Sequence, residues 1–240
     1  EEMGKPRVEI PGDEKKALTH YAYHIKAGKE IFAAEGAFGQ YLICFRDFPV
    51  AIGITAGARE YLAADICLKY MKEAISEPCN EEQLEAAEKA LRAKLNSLSL
   101  VQPEGTFRTA RKEAAKLFDR KILFTENPRK VESVVFTKEG YRIKIETVIN
   151  GEQKTLYASY KAWKRNNLYP DDFTKKYQSV AYAMDAEALY LSVGLINTSY
   201  KEEYSLWVNS EDKVIATWRP NVTYLPEEPD MVWKFTGTFE

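Results

Sequence analysis

The sequence predicts an α+β protein whose N-terminal helices pack on one face of a curved antiparallel sheet formed mainly by the C-terminal half. Three observations carry this. All four tryptophans, Trp163, Trp207, Trp218 and Trp233, and ten of the fifteen tyrosines fall from Tyr141 onward. The stretch from Ala58 to Leu98 is instead rich in Ala, Leu, Glu and Lys. Aromatic and β-branched residues suit half-buried pleated surfaces, whereas Ala, Leu, Glu and Lys suit helices. From Lys121 the hydrophobic period also shortens from about 3.6 to about 2 residues. The expected division is 1–120, mainly helical with a short strand pair near 41–54, and 121–240, antiparallel β, the two packed as one globular unit.

The elements follow in order. A helix is expected over 13–34, with Asp13 as N-cap and Ala17, Tyr21 and Ile25 on one face. Two short apolar strands, 41–45 and 49–54, flank a turn at Arg46-Asp47-Phe48-Pro49. A second helix spans 58–76 and ends before Pro78. A third begins after Asn80, with Gln83 at the capping-box position and Leu84, Leu91, Leu95 and Leu98 as an apolar stripe. Pro103 and Gly105 break the chain, and Thr106 caps a fourth helix over 107–119.

Strands are expected at 122–125, 131–137 and 141–149. In the last of these Ile143, Ile145 and Ile149 alternate with charged residues. Asn150-Gly151 accepts positive φ at low cost and predicts a type I′ hairpin into 154–160. Further strands fit 189–196, 204–209, 214–219 and 231–239. The segment 171–182 suits either a short helix capped by Asp172 or a strand through Val180-Ala181-Tyr182. A helical layer followed by a strongly bent sheet often makes a cone-like cavity, but sequence does not show curvature.

Composition excludes more than it assigns. The formal net charge of −2 argues against a globally basic nucleic-acid binder. No run approaches the roughly 18 apolar residues of a membrane-spanning helix, so the sequence reads as that of a soluble protein. The chain opens on Glu1 rather than Met, as a processed form or part of a longer gene product does. Two sequons, at Asn197 and Asn221, add a slight lean toward export. Cys44, Cys67 and Cys79 match no zinc or redox spacing and, with Cys44 and Cys67 in apolar runs, read as buried thiols, one disulfide being the alternative. Gly36 to Gly39 and Gly53 to Gly57 match no phosphate-cradling fingerprint, and no Gly-x-Ser-x-Gly elbow occurs. The cofactor, if there is one, is unknown from sequence.

Three groups of residues are candidates for function. His20 and His24, four apart on a helix, would place both imidazoles on one face, as helical metal ligands do. Tyr21 stands where a zincin carries its catalytic Glu, so that chemistry is excluded and any other metal site needs distant ligands. Arg108, Lys112, Lys116 and Arg120, with Arg111 beside them, form a basic stripe toward an anion or toward acidic side chains of the same fold. Tyr157, Tyr160, Trp163 and Trp207 offer an aromatic sheet surface for a small molecule or protein partner. Trp218 and Trp233 share faces with apolar residues and read as core. The first functional expectation is therefore a non-catalytic binding or interaction protein, and the alternative is a metal-dependent enzyme or metal-binding protein using His20 and His24.

Overall fold

A computed structural model describes residues 2–12, 16–58, 63–77, 79–106, 110, 112–169, 171–173, 176–222 and 232–240. The chain divides into two compact units, Glu1–Leu100 and Val101–Glu240. Segment 101–120, expected in the helical part, therefore belongs to the second unit.

In the first unit six strands form an antiparallel meander: β1 (Val8–Glu9), β2 (His20–Tyr21), β3 (Lys26–Ala27), β4 (Ile31–Gly36), β5 (Gln40–Phe45) and β6 (Ala51–Ile54). Alternation buries Ile31 and Ala33 of β4 and Tyr41, Ile43 and Phe45 of β5 on one face. Helix α1 (Ala63–Ser76) covers that face with Ala64, Cys67, Leu68 and Met71, whose spacing puts them on a single stripe. Asp65 fixes the helix to the sheet layer by accepting a 2.7 Å hydrogen bond from the Ala17 amide.

Two expectations fail in this unit. The described part of 13–34 is not helical but supplies β2, β3 and most of β4. Gly28 sits in the tight turn between β3 and β4, where a Cβ would lie 1.8 Å from the Ala17 carbonyl oxygen. His24 turns the chain between β2 and β3 with φ of 54°. Pairing along the meander, β2 with β1 and β3, and β4 with β3 and β5, thus overrides a weak helical spacing. The second failure concerns the leucine stripe. Helix α2 (Glu81–Ser97) forms with its Asn80–Gln83 capping box intact, yet Leu91 remains 57% exposed, and Leu84, Leu95 and Leu98 are similarly open. Local capping and propensity built this helix; burial did not.

The second unit opens with a 3₁₀ turn, Lys112–Leu117, where a fourth α-helix was expected; 107–109 and 111 lie outside the described residues. Ten strands follow: β7 (Lys121–Phe124), β8 (Val131–Glu139), β9 (Arg142–Ile149), β10 (Glu152–Tyr160), β11 (Lys164–Asn167), β12 (Tyr177–Met184), β13 (Ala188–Leu195), β14 (Lys201–Val208), β15 (Val214–Pro220) and β16 (Trp233–Phe239). The Asn150-Gly151 turn forms as expected, with φ of 53° and 77°. The ambiguous segment resolves into β12.

This sheet bends round until it meets itself. Its hydrogen-bonded order is β10-β9-β8-β7-β16-β15-β14-β13-β12-β11, and β10 also pairs with β12 in parallel, Ser159 with Ala181 and Tyr160 with Tyr182. Nine of the described strands therefore close a barrel, with β11 lying along the seam. The expected curved sheet is present, but it folds onto its own face rather than presenting that face to a helical layer. Leu117, Ile122, Phe136, Ile143, Tyr182, Met184, Leu189 and Val214 fill its core.

Asn166 of β11, 8% exposed, holds the seam where β10 and β12 diverge. Its Oδ1 accepts from the Tyr157 amide at 2.8 Å, and its Nδ2 faces the carbonyls of Tyr157, Lys164 and Gln178 at 2.9–3.3 Å. Replacing it leaves these backbone groups without their partner, a cost of about 1–3 kcal/mol for buried polar groups. Asn166→Ala is thus expected to lower unfolding free energy by about 2–3 kcal/mol in urea titration. A loss below about 0.5 kcal/mol would mean that backbone pairing alone closes the barrel.

Candidate functional site: the barrel cavity

The barrel encloses a cavity of about 430 Å³. Alternation makes its walls. On β8 Val134 and Phe136 point inward, on β9 Ile145, on β10 Leu156, on β13 Leu191 and on β14 Leu206. The polar lining residues gather toward one end. There Ile149 pairs with Val131 and Glu152, and Glu202 pairs with Val193 and Pro220, so the starts and ends of these strands form a common rim. At the end marked by the β12–β13 turn, the 3₁₀ turn tucks in Ala114 and Leu117, both fully buried. Hydrogen bonds from the Ala114 amide to the Ala186 carbonyl and from the Asp119 amide to the Phe136 carbonyl fix it there.

Three side chains form a polar cluster at the rim end. Arg129 Nη2 lies 3.0 Å from Glu202 Oε1, and its Nε donates to the Tyr204 hydroxyl at 3.4 Å. Tyr204 in turn donates to Glu202 Oε2 at 2.7 Å. Burial, and then the Glu202 carboxylate, push the Tyr204 phenol well above its ordinary range, so it remains a proton donor. For Arg129 burial works against the charge, yet Tyr204 and Glu202 beside it lift the guanidinium above its ordinary value. The Trp218 ring lies 5.5 Å from the guanidinium carbon and stacks near Trp233, with centroids 4.3 Å apart. Its indole nitrogen is buried and has no hydrogen-bond partner among the described residues.

The loop between β7 and β8 positions Arg129. Asn127, nearly buried, donates to the carbonyls of Thr125 and Val131 and accepts from the Val131 amide. Lys130 completes the turn at φ of 52°. A second charged pair, Lys154 with Glu152 at 2.6 Å, also lines the cavity.

The sequence did not single out this cluster, although one signal was present. Glu202 and Tyr204 share a strand face with Leu206 and Val208, and a carboxylate on a core face demands a partner. Arg129 lies nine residues past Arg120, the last residue of the basic stripe, in a connection without periodic signal.

The expected site residues are dispersed. Tyr157 and Trp207 sit on strand positions facing away from the cavity-lining Leu156 and Leu206. Tyr160 packs edge-on against Tyr182 in the core, at 5.8 Å. Trp163 lies between β10 and β11. None of these four lines the cavity. Arg108 and Arg111 lie outside the described residues. Lys112 is exposed, and Lys116 meets Glu113 at 2.6 Å and Asp212 at 3.9 Å, so acidic side chains of the same unit stand beside it. His20 lies on a strand with Nδ1 2.8 Å from Thr19 Oγ1, and His24 lies in a turn. The helical face that would have joined these two imidazoles is therefore absent. Among the described residues no group of three or more His, Cys, Asp or Glu side chains is placed to hold a metal. Both sequon asparagines spend their amide nitrogens on backbone carbonyls, Asn197 on Phe173 and Asn221 on Ser199. No helix among the described residues is long and apolar enough to cross a membrane.

Removing the cation from a buried pair strands its carboxylate, at about 3–5 kcal/mol when both groups are fully enclosed. Arg129 is 36% exposed, which lowers the figure. Arg129→Met is expected to destabilise the second unit by about 2–3 kcal/mol in chemical denaturation. Adding Glu202→Leu should recover most of that loss. Additive losses in the double variant would show that the two charges are not coupled.

No family model matches the chain, and no curated protein matches it in sequence. Solved structures similar to part of it include apo lipid binding protein 8 of Caenorhabditis elegans, with TM-score 0.41 and 7% identity, covering 55% of this chain and 100% of that one. The fatty-acid-binding protein of Manduca sexta has TM-score 0.37 and 10% identity over 51% of this chain and 98% of its own. A protein described as REP1-NXSQ fatty acid transporter has TM-score 0.38 and 13% identity, covering 52% and 97% of the two chains. Each match leaves nearly half of this chain uncovered.

Proposed function

We propose that the second unit is a non-catalytic binding module that holds a small apolar or amphipathic, lipid-like molecule inside its barrel. The observation that carries this reading is the cavity of about 430 Å³ between inward-facing Val, Ile, Leu and Phe side chains. Ligand pockets commonly span about 300–1,000 Å³, with apolar walls and a few placed polar groups. A well-packed interior of this size would leave no such space, because protein cores fill to crystal-like density.

The polar lining groups support holding rather than transforming a ligand. Arg129, Glu202 and Tyr204 satisfy one another, Lys154 pairs with Glu152, and the Thr147 hydroxyl donates to the Ser133 carbonyl at 2.8 Å. The ligand sits within the barrel in this reading, so the outward aromatic residue Trp207 takes no part in it.

Val193, half-buried on β13, lines the cavity near its rim. Val193→Trp is expected to fill the space and to weaken binding of a neutral apolar dye such as Nile red by at least about tenfold, or about 1.4 kcal/mol. Trp207→Ala should leave dye affinity within about twofold of the parent. Dye binding that survives Val193→Trp but falls in Trp207→Ala would move the site to the outer sheet face and overturn the interior reading.

A further inference from the structure

We infer that the polar end of the cavity selects a neutral oxygen head group, a hydroxyl or an uncharged carbonyl, and that Glu202 excludes carboxylates. This inference rests on the interior binding reading and names the ligand class within it.

The argument starts from charge. A lone buried guanidinium would recruit an anionic ligand, because carboxylate and arginine match in charge and geometry. Here Arg129 already has its anion: Glu202, only 9% exposed, lies 3.0 Å from it and uses both oxygens, one on Arg129 and one on Tyr204. The remaining charged lining groups do not alter this. Lys154 is matched by Glu152 at 2.6 Å, and Lys130 lies exposed at the rim, where water and salt screen it. A ligand carboxylate reaching Arg129 would stand beside the Glu202 carboxylate against apolar walls. Like charges so placed disfavour each other strongly, and displacing Glu202 would strand a second buried charge.

A neutral oxygen meets no such penalty. Arg129 retains N–H groups beyond those directed at Glu202 and Tyr204, since a guanidinium carries five donors. The buried indole N–H of Trp218, beside Arg129 and opposite Tyr204 in register, lacks an acceptor among the described residues. Trp218 does not itself line the cavity, so the donors that meet a ligand oxygen there are the remaining N–H groups of Arg129. The apolar chain of the same ligand would then run along Val134, Phe136, Ile145 and Leu206.

The test uses the full chain and displacement of bound Nile red by two competitors of equal length, 1-dodecanol and dodecanoate. The pH is held near about 8, where the carboxylate is ionised. The parent protein is expected to bind dodecanol at least about tenfold more tightly than dodecanoate. Glu202→Gln keeps the shape and one acceptor oxygen but removes the charge that Arg129 faces, and should raise dodecanoate affinity at least about tenfold, shrinking or reversing the preference. Equal or tighter binding of dodecanoate by the parent overturns the inference, and so does an unchanged ratio in folded Glu202→Gln. The parent's ratio decides the question even if the variant fails to fold. Failure of the parent to bind Nile red or either competitor refutes the interior binding reading itself, and with it this inference.

Discussion

The parallel contact between β10 and β12 is the interaction on which the second unit depends. A ten-stranded antiparallel sheet left open would expose two edges, each a row of unpaired amides and carbonyls. Direct pairing at Ser159–Ala181 and Tyr160–Tyr182 joins β10 to the stretch of β12 that β11 leaves uncovered, over a short length only. Beyond it the strands separate, and the four hydrogen bonds of Asn166 bridge the widening gap. Closure converts strand alternation into an inside and an outside. Leu156 and Leu206 thereby become walls, and their neighbours Tyr157 and Trp207 become outer surface.

Closure also sets the energetics of the polar end. Once the rim is drawn together, Glu202 is removed from water and must be compensated by a cation that no adjacent strand supplies. The cation comes from the β7–β8 loop, held in shape by Asn127, so a short and well-braced connection delivers Arg129. Tyr204 completes the cluster as a donor whose proton is strongly retained. A buried ion pair of this kind contributes little net stability, because desolvation offsets attraction. In the binding reading proposed above, its place in the cavity serves ligand choice rather than folding.

The first unit follows simpler rules. A meander buries one face under α1, and the stripe Ala64, Cys67, Leu68 and Met71 supplies the covering layer. Helix α2 differs, since its capping box and helix-forming composition sustain it while its leucines stay open. Hydrophobic periodicity there marks a helix without marking a buried face.

What the sequence determined by itself was local. The Asn80 capping box, the Asn150-Gly151 turn and the alternation of β8 to β10 and β13 to β16 are properties of a few consecutive residues, fixed by backbone sterics and short-range hydrogen bonds. The excess of aromatic and β-branched residues after Tyr141 likewise announced the sheet. Only the tertiary structure decided the rest. Within 16–34 the strands β2, β3 and β4 form because each finds partners on both sides in the meander, β4 on β3 and β5. A helical spacing read inside the segment does not record that pairing gain. Whether the sheet lies against helices or closes on itself turns on the β10–β12 contact, which no period records. The site suffered most, because Arg129, Glu202 and Tyr204 belong to segments more than seventy residues apart, and it is their shared burial that makes them a unit.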